Sequence, residues 1–433
     1  MEDNFFMEIY IVKSGDTIGG IARNYGVSVQ KLISDNGLEY PGNLVPGQSL
    51  IILMPEQIYT VRSGDTLFSI ARKYGTTTGA LLRNNPWLSL EKSLIPGRIL
   101  TISFTQKPQR EARINGYAYP GISEPLITRE LPFLSTLTIF GYGFTDDGEL
   151  IPPDDGPLLS LALRTNTAPI LLLSSITETG NFDSERSSRL FNSTTLQNTV
   201  LYSLVEVMKR KGYRGFDIDF EFVLPEDAEA FLGFVKNAAR IMHNNGFFVN
   251  VDLAPKASSE QRGLLYEAHN YAALGAAADT VLLMTYEWGY TYGPPMAVAP
   301  IGPITDVVNY ALTEIPPEKI MLGIPNYGYD WTLPFEKGIT RAVSIGNQYA
   351  VSIAAQNGVP IEYDEQSQSP FFYYRRNSFD HVVWFEDVRS IEAKFDLILN
   401  NGLLGAGYWN LMRPFAQNWA LSSVTFTPQV VDF

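Results

Sequence analysis

The chain has no cysteine and only three histidines, His243, His269 and His381. That excludes disulfides, thiolate metal sites and thiol nucleophiles, and it argues against a multi-histidine metal centre. Each histidine reads as a surface or packing residue, and neither a metal nor another cofactor is expected. Positive charge is also short: 32 Lys and Arg face 46 Asp and Glu, a formal net charge of −14. An acidic surface disfavours nucleic acid or an anionic membrane as the main partner. No apolar run approaches the roughly 20 residues of a membrane-spanning helix. No basic stretch followed by an apolar one marks a secretory signal. Disorder is excluded too, because 45% of the 433 residues are hydrophobic, enough for two or three folded domains. With 23 Tyr and 25 Phe, the chain has rings for a large core and for stacking on sugar faces.

The first hundred residues repeat themselves. Residues 10–17, YIVKSGDT, recur at 59–66 as YTVRSGDT, and 21–26 recur at 70–75. Asn36 matches Asn85, and 44–47 match 94–97. Such self-similarity marks repeated small units. In each unit a short strand ends in a Ser-Gly-Asp-Thr turn, and Asp16 or Thr17 can cap the helix that follows. Gly26 ends that helix, a second runs to Asn36, and Pro46-Gly47 turns into a closing strand. This strand–helix–helix–strand unit resembles the LysM module, over residues 8–54 and again over 57–104. The resemblance implies binding to N-acetylglucosamine-containing polymers such as peptidoglycan or chitin; protein-binding modules of the same fold are the alternative. The short linker 54–57 lets tandem modules raise avidity if both engage one polymer, and 105–112 reads as the interdomain linker. Removing residues 1–104 is expected to leave cleavage of a soluble oligosaccharide nearly unchanged and to weaken binding to insoluble wall.

From residue 113 to 425, apolar runs alternate with helical patterns. The strand candidates are 114–119, 136–144, 169–175, 212–222, 247–254, 280–286, 319–327 and 405–410. All eight are nearly continuously apolar, as buried parallel strands are. Eight strand–helix units over about 300 residues predict a (β/α)8 TIM barrel. The stretch 331–383 is too long for one helix and reads as a small inserted α+β subdomain between the seventh and eighth strands.

The fourth run contains Arg214-Gly215-Phe216-Asp217-Ile218-Asp219-Phe220-Glu221-Phe222. A strand alternates faces with period two, so Asp217, Asp219 and Glu221 point one way and Phe216, Ile218, Phe220 and Phe222 the other. Three like charges in a row cannot all ionise cheaply, and such coupled carboxylates suit general acid chemistry. A solvated edge strand is the alternative reading; the apolar second face argues for a central strand.

This stretch resembles the signature strand of glycoside hydrolase family 18, the chitinase-like enzymes, whose motif is Asp-Gly-x-Asp-x-Asp-x-Glu. Arg214 replaces its first Asp, which is expected to remove one link of a buried proton chain. Met284-Thr285-Tyr286 on the sixth strand and Trp409 on the eighth also match the family pattern. The resemblance implies a retaining, substrate-assisted glycosidase. In it Glu221 is the general acid, Asp219 orients the sugar's acetamido group, Asp217 shares a proton with Asp219, and Tyr286 holds the acetamido oxygen. Trp409, Met284, Glu287, Trp288 and Tyr142 are expected to bind substrate. Two LysM modules before such a barrel, without a secretion signal, resemble the spore cortex-lytic N-acetylglucosaminidases of spore-forming bacteria. That resemblance implies a monomer acting on spore cortex peptidoglycan during germination, made in the mother cell and deposited in the spore coat or cortex. A chitinase or chito-oligosaccharide hydrolase is the close alternative, and a non-catalytic wall-binding or spore-coat protein is the alternative of another class.

Overall fold

The computed structural model describes residues 7–88, 93–177 and 179–431. Each repeat forms a two-stranded antiparallel sheet carrying two helices. The first unit comprises Met7–Ile11, Ile18–Tyr25, Val29–Asn36 and Ser49–Leu53; the second comprises Pro55–Thr60, Leu67–Tyr74, Thr78–Asn84 and Ile99–Phe104. The repeated residues explain themselves locally. Thr17 caps its helix by accepting from the Gly20 N–H, whereas Asp16 accepts from the Tyr10 hydroxyl and the Lys13 N–H, both at 2.7 Å. Gly26 and Gly75 end their helices at φ 66° and 64°, where a side chain would be strained. Asn36 pins helix to strand: its amide donates to the Leu32 and Ile51 carbonyls and its oxygen accepts from the Ile51 N–H. Asn85 repeats this with Leu81 and Thr101.

Eight parallel strands follow: Arg110–Ala118, Thr136–Phe144, Ala168–Ser174, Gly215–Asp219, Phe248–Leu253, Thr280–Leu283, Ile320–Pro325 and Gly405–Trp409. The first pairs with both the second and the eighth, so the sheet closes into the TIM barrel. Each expected run overlaps one strand, the first of which starts four residues early, at Arg110. The fourth is shorter than read: Gly212, at φ 85°, still ends the preceding helix Thr194–Lys211, and the strand stops at Asp219. Between the seventh and eighth strands lies a five-stranded antiparallel sheet with helix Asn347–Asn357, whose first strand begins at Gly328.

Both linkers are largely structure. Pro55 already opens the second unit's first strand. Arg110 opens the first barrel strand, which also pairs with Phe426–Pro428. The first module is not an appendage either. Its Ile51 and Leu53 belong to the barrel's main apolar core, with Trp419 and Val424 of the last helix. Gln417 donates to Asn36 Oδ1 and to the Ser49 carbonyl, and Ser49 Oγ donates to Asp387. Removing residues 1–104 would therefore strip apolar side chains from the barrel's main core. Losing two aliphatic anchors at about 1.5–3 kcal/mol each should lower the melting temperature of a chain starting at residue 105 by roughly 10 °C. Differential scanning calorimetry reads this directly; an unchanged melting point would restore the appendage view.

Candidate active site

The barrel's registers decide which side chains share a layer. Asn250 of the fifth strand lies opposite Asp217 of the fourth, and Val251 opposite Ile218. Asp252 therefore takes its place beside Asp219, one layer nearer the strand ends. The opposite face of the fourth strand, Phe216 and Ile218, packs into the core between sheet and helices. Beyond Asp219 the alternation lapses with the strand. Phe220 stays buried against Phe191 and Phe231, but Phe222 is 45% exposed and belongs to no apolar face.

A cavity of about 280 Å³ opens over these layers at the strands' C-terminal ends, where barrels place their chemistry. Asp219, Glu221, Asp252 and Tyr286 line it, with Trp409, Met284, Glu287 and Trp288 as further walls. Asp217 lies beneath, buried. The Trp409 ring meets Phe140, Tyr117 and Tyr119 edge-on, with centroids 5.4–5.9 Å away, which fixes its face. Glu287, at φ 68°, accepts from the hydroxyls of Tyr327 and Tyr329, so the insertion holds that wall residue.

A polar net fixes the acids. Thr280 Oγ1 donates to Asn250 Oδ1 at 2.8 Å, which turns the Asn250 amide nitrogen toward its neighbours. That nitrogen donates to Asp217 Oδ1 at 2.7 Å and to Asp252 Oδ1 at 2.9 Å, and the Tyr117 hydroxyl adds a bond to Asp252 Oδ1 at 2.8 Å. Asp217 Oδ2 and Asp219 Oδ1 are buried without a hydrogen-bond partner. Burial pushes Asp217 up to about 6. Burial, then the charges of Glu221 and Asp217, raise Asp219 well above the carboxylate range. Burial, then Glu287, raises Glu221. Burial, then Asp217 and Asp219, raises Asp252. The site thus stores protons at neutral pH within reach of the cavity.

The sign of this effect on folding follows. A carboxyl whose folded pKa is raised stabilises the fold fully below its unfolded pKa of 3.8 and loses that contribution as pH rises through about 6 for Asp217. Asp252→Asn removes one like charge and keeps an oxygen for Tyr117 and Asn250. It should raise the melting temperature at pH 8 by a few degrees and change it less at pH 5. Scanning fluorimetry at both pH values checks this; an equal shift at both would mean the charge is not the cause.

One expected substrate-binding residue is elsewhere. Tyr142 is fully buried outside the cavity, its hydroxyl donating to Asp155 and accepting from Lys211. The second strand shifts register between Ile139 and Tyr142, around Gly141 at φ 125°. That bulge turns Tyr142 to the other face and leaves Phe140 on the cavity side. Arg214 is exposed just before the fourth strand, so it takes the place of no link in the buried acid cluster. Conversely, the sequence reading passed over Asn250 and Asp252. Their signal was present: two polar residues at period two inside the apolar run 247–254.

The glycosyl hydrolases family 18 profile matches residues 132–413, and the LysM domain profile matches 10–53 and 59–103. The cortical fragment-lytic enzyme of Bacillus subtilis (strain 168) is 42% identical, with 97% of this chain and 98% of that protein covered. The crystal structure of the Bacillus megaterium QM B1551 spore cortex-lytic enzyme SleL superposes with a TM-score of 0.84 at 38% identity, covering 99% of this chain and 100% of that one. A chitinase from Chromobacterium violaceum ATCC 12472 is similar over 72% of this chain, with a TM-score of 0.67 at 25% identity.

Proposed function

The chain belongs to the glycosyl hydrolases of family 18 and carries two LysM domains ahead of its barrel, and from that premise we propose that it is a glycosidase of spore cortex peptidoglycan, cleaving at N-acetylglucosamine. The carrying observation is Glu221 at the head of a stack of buried acids, in a cavity walled by Tyr286 and Trp409. Glu221, its pKa raised by burial, protonates the leaving glycosidic oxygen. The sugar's own 2-acetamido oxygen attacks the anomeric carbon, and water later opens the oxazolinium, so the configuration is retained. Asp219 faces the acetamido nitrogen and the positive charge that develops beside it. Asp217, Asn250 and Tyr117 hold the acids in place, Tyr286 holds the acetamido oxygen, and Trp409 is the floor beneath the ring.

The cortex reading is supported over the chitinase reading by extent. The cortex-lytic relatives match 97–99% of the chain, whereas the chitinase matches 72% of it. The place of action proposed with it is the spore. Among the described residues no helix is long and apolar enough to cross a membrane. The test is digestion of spore cortex peptidoglycan and of chitin side by side, with products read by mass spectrometry. Cortex fragments ending in N-acetylglucosamine are expected; release from chitin alone would favour the chitinase reading, and inertness on both the binding-protein one.

A further inference from the structure

The two modules are copies of one unit, so each position in one has a control in the other. The segment before the closing strand, 44–47 in the first and 94–97 in the second, lies in opposite surroundings. In the first module Val45 is 3% exposed and sits in the insertion's apolar core with Phe372 and Ala354. Gly47 lies so close to the Ile361 carbonyl that a Cβ there would stand 1.8 Å from its oxygen. Ile361 N–H donates to the Pro46 carbonyl, Asn43 Nδ2 to the Ala355 carbonyl, and Ser352 Oγ to Glu39. The crevice left between this loop and the insertion holds about 30 Å³, room for about one water and not for a sugar ring. In the second module the matching Ile95 is 59% exposed, Ile99 56%, and a Cβ on Gly97 would meet nothing within 4 Å. Phe68, where the first module has Gly19, is 70% exposed.

Charge separates them as well. Residues 55–104 hold six Lys and Arg against three Asp and Glu, while 8–54 hold three against four. The second module thus carries a net positive charge in a chain of net charge −14, and cortex peptidoglycan carries peptide carboxylates that suit it.

We infer that the two copies have divided their tasks. The first braces the insertion against the barrel and has its loop consumed in doing so. The second alone grips peptidoglycan, with bare aliphatic and aromatic side chains against the sugar faces and its cations against the peptide carboxylates. This rests on the reading of the modules as wall binders.

The test uses the full chain as the Glu221→Gln variant, so that substrate survives, pelleted with insoluble cortex peptidoglycan. Ile95→Asp should weaken pelleting at least tenfold with an unchanged melting temperature, Ile95→Val should retain it, and 0.5 M salt should weaken the parent. Hydrogen exchange with soluble cortex fragments should slow amides within 94–99 and leave 43–47 unchanged. Pelleting of Ile95→Asp at the parent's level, or slowing at 43–47, overturns the division of tasks alone. A parent that does not pellet removes the wall-binding reading and this inference with it.

Discussion

Glu221→Gln is expected to lower turnover of soluble cortex fragments by about 10²–10⁴-fold, the range that general acid help supplies. Glutamine keeps the shape of the side chain and deletes the proton that the leaving oxygen needs. Glu221 contributes no hydrogen bond to the acid net beneath it, which runs through Asn250, Thr280 and Tyr117. The variant should therefore melt within a degree or two of the parent, and KM should move far less than kcat. Steady-state kinetics on soluble cortex fragments, followed by the reducing ends released and with the melting curve as control, gives both readings. Turnover near the parent's would take the acid's role from Glu221 and direct attention to Glu287, the wall carboxylate beside it.

Asp219→Asn should be the second large loss, about 10²–10³-fold in kcat, the scale on which removing one preorganised electrostatic partner acts. Asp219 borders the cavity, is buried, and has one oxygen without a partner. An amide there cannot face a developing positive charge as a carboxylate does. The same substitution removes a like charge from between Asp217 and Glu221, whose charges help raise its pKa. The variant should thus be less active and more stable at neutral pH, a combination that misfolding cannot produce. Substrates without the 2-acetamido group should bind and not turn over, and proton NMR should show the first product with retained configuration. Inverted product, or brisk cleavage of a glucosyl analogue, would end the substrate-assisted scheme.

What could be read ahead of the structure was whatever repeats or alternates over short range. The doubled YxVxSGDT unit and the eight apolar runs depend on local periodicity, and each run overlaps a strand. The acid motif was equally local. The errors fall where one residue breaks a period. The bulge at Gly141 carries Tyr142 to the other face, and the end of the strand at Asp219 releases Phe222. Asp252 was legible in principle, but its meaning depends on the strand register that sets it beside Asp219, and register between strands more than 30 residues apart leaves no local mark. The docking of the first module was beyond pattern reading, because its partners on the last helices lie hundreds of residues away.

That docking also sets an order of assembly. Ser49 meets Gln417 across 368 residues of sequence, so the first module leaves the ribosome well before its seat exists. At about 5–20 residues per second, synthesis of the intervening chain takes some tens of seconds. For that interval Ile51 and Leu53 are strand residues without cover, next to an unpaired sheet edge. Completion of the helix Ala416–Thr425 is then the event that seats the first module, and a nascent chain stalled before it leaves that apolar face exposed to aggregation.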